Sequence, residues 1–399
     1  MTIVTDYSAL FNSEDDYTGT WKEIYDFGLT LPDNLSDILR KTIFLPYDFY
    51  DLITAYFLLP SALCRIVPYL FLCGQSGSGK STLAKIASYL HDIPINSSSD
   101  TFAGIRNALE QRRRGLAEVP SELNDGGYTY KAVERNICMV WDDISPTTFT
   151  NQPELYNMFK FGYDKTTDKI ILSSKEVGEN LEFHCFCPKV FSSISPLHLD
   201  DRFKELKRRL IVIPCKRVEE LSAERQAELG IDNNTWQSEL IDVTDYKWKG
   251  FREQYDEYWD LPTAARFVQT KKELSKSAKG LTSQQRAVSL DLMATGITCG
   301  IWSDRDEAFS AVKTYWSWFK QETEKSAGLT NYLRTYIKQE ETNARNGQRE
   351  LAISTVQLRT HVDNLVTMGW LYERPRPSGI KAAMYDLGLK LHNGIWSKD

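Results

Sequence analysis

The sequence predicts an α/β fold in which a parallel sheet is flanked by helices, and three features predict it. Residues 66–73, IVPYLFLC, are apolar on both faces, the mark of a strand buried inside a parallel sheet. That run passes without a spacer into Gly74-Gln75-Ser76-Gly77-Ser78-Gly79-Lys80-Ser81-Thr82, and a helical stretch, residues 81–90, follows. A second apolar run, residues 137–141 (ICMVW), ends in Asp142 and Asp143. Strand, glycine loop, helix and a further strand tipped with acids is the alternation from which α/β sheets are built.

The glycine loop carries a specific chemistry. Gly74 to Ser81 fits G-x-x-x-x-G-K-[ST], where the glycines let the backbone curl until its N–H groups face phosphate oxygens. The helix behind the loop adds its positive N-terminal end. Lys80 would reach the β and γ phosphates of a nucleotide, and Ser81 would offer its hydroxyl to magnesium. Two adjacent carboxylates on the neighbouring strand can then divide the labour: Asp142 holds magnesium through water, and Asp143 orients or deprotonates the attacking water. ATP and Mg2+ are the expected cofactors.

Composition bounds the rest. A chain of 399 residues exceeds one ordinary core, so two or three domains are expected. Hydrophobic residues make up 42% and charged residues 26%, as in a folded protein, and no apolar run is long enough for a membrane span. The first residues lack the basic start and apolar middle of a signal peptide, so a cytoplasmic location with seven free thiols is expected. His184, Cys185 and Cys187 form the one cluster that could suggest metal, but without a second ligand pair they read as alternating strand residues. The net charge of −6 excludes a uniformly basic coat. Residues 1–60 hold ten acids and three bases, whereas residues 328–399 hold seven acids and ten bases, which directs any nucleic-acid contact toward the C-terminus or local loops.

Downstream of the acids the order of parts becomes diagnostic. A helix is expected over residues 152–161, then a β-hairpin over 168–187 with Lys175 near its tip, then a hydroxyl-bearing strand over 189–194. Residues 203–209, ending in Arg208 and Arg209, lead into a last apolar strand, LIVIP. A transporter-type ATPase is excluded by order, since its signature precedes the acidic strand and the only similar stretch here, residues 280–286, lies far behind it. A small-molecule kinase remains as a compact alternative, although nearly 260 residues follow Asp143.

Over residues 66–217 this series of parts resembles the AAA+ P-loop ATPases, and within them the superfamily III helicases and related replication ATPases of phages, viruses and plasmids. The resemblance implies a γ-phosphate sensor at the end of the hydroxyl-bearing strand, matched by Ser193 or Ser195. It implies an arginine that reaches a neighbouring subunit's site, matched by Arg208 or Arg209. It also implies a hairpin that meets DNA in a central pore, which places Lys175 there. A hexameric homo-oligomer follows, with single-stranded or forked DNA and a replication protein as partners.

The flanking regions complete the reading. Residues 1–62 are expected to form a helical acidic lead-in, 63–217 the ATPase core, and 218–327 a helical lid or linker whose Trp and Tyr stripe, residues 314–319, is core at helical spacing. Residues 328–399 resemble a winged helix: a helix near 329–341, a second capped by Ser354 or Thr355, and strands at 371–376 and 381–386 around a Pro-Ser-Gly turn. Arg359 and His361 would project from the second helix, with Arg374, Arg376 and Lys381 on backbone phosphate. The function expected is an oligomeric, DNA-binding replication helicase or initiator, with an ATP-gated remodeller of a protein partner as the alternative.

Overall fold

The computed structural model describes residues 2–3, 30–120, 128–173, 180–231, 247–277, 280–325, 328–367, 374–375 and 377–398. The chain divides into two compact units, Met1–Lys313 and Thr314–Asp399.

The first unit is an α/β fold on a five-stranded parallel sheet. Its strands are β1 (Tyr69–Cys73), β2 (Ile95–Asn96), β3 (Met139–Trp141), β4 (Lys189–Ser193) and β5 (Leu210–Pro214). They lie in the order β5-β1-β4-β3-β2, every pair parallel. β1 and β4 are buried along their whole length, which explains why neither alternates apolar with polar residues. Helix Lys80–His91 buries Leu83, Ala84, Ile86 and Ala87 completely and packs along β4 and β3. Helix Pro153–Phe161 inserts Phe159 edge-on between Tyr69 of β1 and Phe191 of β4, with centroids 5.8 and 5.1 Å away.

The expected hairpin pairs Lys169–Ser173 with Asn180–His184; Lys175 lies outside the described residues. Sequence reasoning gave no account of a second hairpin, Arg114–Pro120 with Tyr128–Glu134, inserted before β3. Helices Leu31–Thr42 and Tyr50–Phe57 pack on one another ahead of the sheet, and helices Leu261–Ser277 and Ser283–Thr298 pair behind it. No helix among the described residues is long and apolar enough to cross a membrane.

β4 is tied to the base of the first hairpin by an unusual group. Lys189 has no exposed surface, and its ammonium donates to the carbonyls of Cys185 at 2.9 Å, Cys187 at 3.1 Å and Gly162 at 3.2 Å, above the Tyr69 ring. Three carbonyl dipoles take the place of water around the charge. Gly162 is required there, because a Cβ would lie 2.4 Å from the Cys185 carbonyl. Beside it the Asp168 carboxylate, 1% exposed, accepts from Phe186 N–H at 3.2 Å and meets His184 Nδ1 at 3.1 Å. The cysteines of the supposed metal cluster are likewise engaged, Cys185 Sγ donating to the Asp168 carbonyl.

The second unit corrects one sequence expectation. Helix Gly328–Asn346 and helix Thr355–Thr367 stand as expected, with Ser354 and Gln357 in reciprocal capping bonds, and a short strand, Ile353–Ser354, lies between them. Residues 381–386 are not a strand: Pro377–Asp386 is a helix. Pro377 opens it in the position where a missing N–H costs nothing, and Lys, Ala, Ala and Met are good helix formers. The hairpin lies further on, Lys390–His392 with Ile395–Ser397, around Asn393 and Gly394 at φ of 50° and 81°. Both residues are left-handed, as a two-residue turn between twisted strands requires.

Replacing Lys189 by Ala leaves its carbonyls buried without a donor, and the unfolding free energy falls by about 3 kcal/mol or more. Urea denaturation followed by circular dichroism measures it, and a loss below about 1 kcal/mol shows the clasp to be incidental.

Candidate nucleotide-binding site

The ends of β1, β3, β4 and β5 open onto a single cleft of about 700 Å³. Ser76 to Thr82 form its floor, with Asp142, Asp143 and Ser192 on one side. Lys216, Arg217, Val218 and Glu219 line it after β5, and Thr42, Ile43 and Phe44 line it from the segment after helix Leu31–Thr42.

The loop's conformation follows from its glycines. An added Cβ on Gly74 would lie 1.9 Å from the Cys215 carbonyl, so backbone meets backbone where the chain leaves β1. Gly77 and Gly79 sit at φ of 79° and 85°, a region L side chains rarely enter. The Gln75 carbonyl accepts from Ser78 Oγ and from Lys80 Nζ, both at 2.7 Å, which folds the loop over itself and draws the lysine ammonium, 7% exposed, to its centre. Gln75, Ser76, Gly77 and Ser81 are exposed.

Parallel register then assembles the acids. Trp141 of β3 is level with Phe191 of β4, so the next residues, Asp142 and Ser192, meet. Ser192 has no exposed surface and donates to Asp142 Oδ1 at 2.5 Å, while its oxygen accepts from the Asp143 N–H at 2.8 Å. One hydroxyl thus fixes both acids. Asp143 is exposed and takes a left-handed backbone at φ 54°, which costs a residue with a Cβ about 1–2 kcal/mol. Its carboxylate is thereby turned out toward the cleft, while Asp142 stays half-buried. Magnesium fits the donors present: Ser81 and Asp142 line the same cleft and offer only oxygen, the hard ligand this ion prefers.

Ser193 and Ser195, the expected sensor positions, do not line the cleft. The period of two sends Ser192 and Ile194 into it and turns Ser193 away, where its hydroxyl accepts from the Ser195 N–H at 3.1 Å. The two arginines also separate. Arg209 is 6% exposed, its guanidinium stacked 4.2 Å from the Tyr163 ring and bonded to the Glu205 carbonyl. Arg208 is exposed and paired with Glu205. Neither lines the cleft, whereas Lys216 and Arg217, which sequence reasoning passed over, do. Their signal was the basic pair placed two residues beyond LIVIP.

The residues expected to touch DNA are scattered. Lys175 and Arg376 lie outside the described residues. His361 stacks on Tyr336 with centroids 4.0 Å apart and planes 13° apart, and burial lowers its pKa. Arg374 is paired with Asp363 at 2.8 Å. Arg359 is exposed on helix Thr355–Thr367, and Lys381 on helix Pro377–Asp386.

Removing the Ser192 hydroxyl with Ser192→Ala frees both acids. On the expectation that the cleft hydrolyses a nucleotide, turnover falls about 10- to 100-fold while nucleotide affinity changes less than about threefold, on the scale of a mispositioned general base. Steady-state hydrolysis beside equilibrium binding separates the two effects, and unchanged turnover removes Ser192 from the site. Comparison of the sequence with protein-family models and with curated proteins finds no match.

Proposed function

We propose that this chain is an ATP-hydrolysing P-loop protein of the AAA+ type that works on DNA as an oligomer. The observation that carries the reading is the joining of three local patterns in one cleft: a glycine loop with its lysine, an acid pair, and a buried hydroxyl that organises the acids. The interposed β4 supports it, because a strand between loop and acids leaves room for a nucleotide's terminal phosphate and a water between Lys80 and Asp143. Water attack on that phosphate needs a base on one side and cations on the other, and the cleft lining offers both. Magnesium held by Ser81 and Asp142 would neutralise phosphate charge. Asp143 would accept the proton of the attacking water.

The second unit supports the DNA half of the proposal. Helix, strand, two helices and a tight hairpin in that order suit a winged helix, with Pro377–Asp386 as the helix presented to DNA. Ser378, Lys381 and Tyr385 are exposed on one face of it, and the last is 48% exposed. An ammonium beside a phenol ring suits phosphate and base contact. Partner-protein docking is favoured instead by Val356 and Ile395, 73% and 44% exposed in the same unit.

ATP hydrolysis by the intact chain rises with single-stranded or forked DNA, and Asp143→Asn lowers it about 100-fold or more. Phosphate release measured with and without DNA decides this. Hydrolysis indifferent to DNA but raised by a protein moves the assignment to a partner-operated switch. Lys381→Ala paired with Tyr385→Ala weakens DNA binding about tenfold and makes its salt dependence shallower by about one unit, while Arg374→Ala changes little. Fluorescence anisotropy over a salt series reads both, and an unchanged slope rejects the helix as a phosphate contact.

A further inference from the structure

Two cations line the cleft without a task in the chemistry above. Lys216 and Arg217 follow β5 after Cys215, and both are exposed. Arg217 lies along the glycine loop: its Nε donates to the Ser76 carbonyl at 2.8 Å, and a Cβ added to Gly77 would stand 3.8 Å from that nitrogen. Its backbone is fixed as well, the N–H donating to Glu220 Oε2 at 3.2 Å where the short turn Val218–Glu220 begins. Among the described residues, the two terminal nitrogens of the guanidinium have no hydrogen-bond partner, and neither has the Lys216 ammonium. Four N–H bonds of a planar fork therefore face open cleft at the loop's edge.

Charge balance gives these residues a purpose. Lys80, Lys216 and Arg217 stand against Asp142, Asp143 and Glu219 on the cleft wall. Without the pair after β5, one cation would face three carboxylates, and one bound magnesium would bring the wall only to neutrality, with nothing left to balance a triphosphate. A guanidinium is suited to the task, because its fork matches two oxygens of a phosphoryl group and it stays charged at any working pH. The arginines before β5 are differently committed: Arg209 is spent on Tyr163 and Glu205, and Arg208 pairs with Glu205 outside the cleft.

We propose that Arg217 is a catalytic residue that neutralises the transferring phosphate from within the chain that binds the nucleotide. The proposal rests on the ATP-hydrolysis reading. In the step it assists, the bond from the attacking water's oxygen to the γ phosphorus forms and the bond from that phosphorus to the β–γ bridging oxygen breaks. The bridging oxygen keeps the electron pair as ADP leaves, the water's proton passes to Asp143, and the terminal nitrogens of Arg217 offset the charge gathering on the bridging and γ oxygens.

The experiment compares the intact chain with Arg217→Ala, Arg217→Lys and a Lys80→Ala partner. Binding of a fluorescent ATP analogue, ATP turnover, and turnover of an equal mixture of Arg217→Ala with Lys80→Ala are measured, with thermal melting as a check on folding. Expected are analogue binding by Arg217→Ala within about fivefold of the intact chain and turnover lower by about 100-fold or more, in line with other arginines on transferred phosphoryl groups. Arg217→Lys restores only part of the turnover, and the mixture recovers none, since the Lys80→Ala copy cannot lend its arginine. Turnover of Arg217→Ala near that of the intact chain, or recovery on mixing, overturns the proposal while leaving ATP hydrolysis in place. An intact chain that does not bind the analogue overturns the hydrolysis reading, and the proposal with it.

Discussion

The cleft depends on the backbone pairing that inserts β4 between β1 and β3. Parallel hydrogen bonds set Leu72 of β1 level with Ser192, and place Asp142 beside the same serine from the other side. The buried hydroxyl that bridges the acids exists only in that register, since a slip of one residue would present Phe191 or Ser193 to the carboxylates and turn Ser192 to the opposite face. A fully buried strand has no solvent face to be confused with, so its register is held by packing: Phe71 against Phe191 at 5.0 Å, Phe159 against Tyr69 and Phe191, and the Lys189 clasp at the strand's start.

That clasp joins two parts of the molecule which the primary structure separates. Lys189 grips the base of the hairpin Lys169–His184 at one end of β4, and three residues later Ser192 grips the acids at the other. Lys189 and Ser192 are themselves buried, where hydrogen bonds to charged groups are strong and unpaired ones costly. A shift of β4 along its axis would have to break both, so the strand ties the base of the hairpin to the cleft.

The sequence made legible what is encoded locally. A glycine loop between an apolar run and a helix needs no knowledge of neighbours, and neither do acids at a strand end. The α/β class follows from the series of apolar runs, glycine loop and helix, and the hairpin at 168–187 from two alternating runs around a Gly-Glu-Asn turn. What could not be read depends on strand order or on spatial neighbours. Ser192 rather than Ser193 faces Asp142 because β4 pairs with β3, and Arg209 is unavailable because Tyr163 covers it. The misplaced strand at 381–386 had a readable warning, Pro377 at a helix start followed by helix formers, and the true hairpin was marked by Asn393-Gly394, the strongest short turn signal there is. The hairpin Arg114–Pro120 with Tyr128–Glu134 went unread in a stretch that holds no motif.

Asp143 stands in the left-handed region, and this narrows what its position can become. Of the side chains that carry a Cβ, aspartate and asparagine enter that region most readily, because their short polar groups can bond to nearby backbone. Most other replacements would trouble the backbone as well as the chemistry. The position therefore has one cheap neighbour in sequence space, and it differs by an amide in place of a carboxylate oxygen. Under the proposed hydrolysis, a copy that cleaves nucleotide and a copy that only holds it lie a single such exchange apart, so a duplicated gene has a short route to a silent sibling.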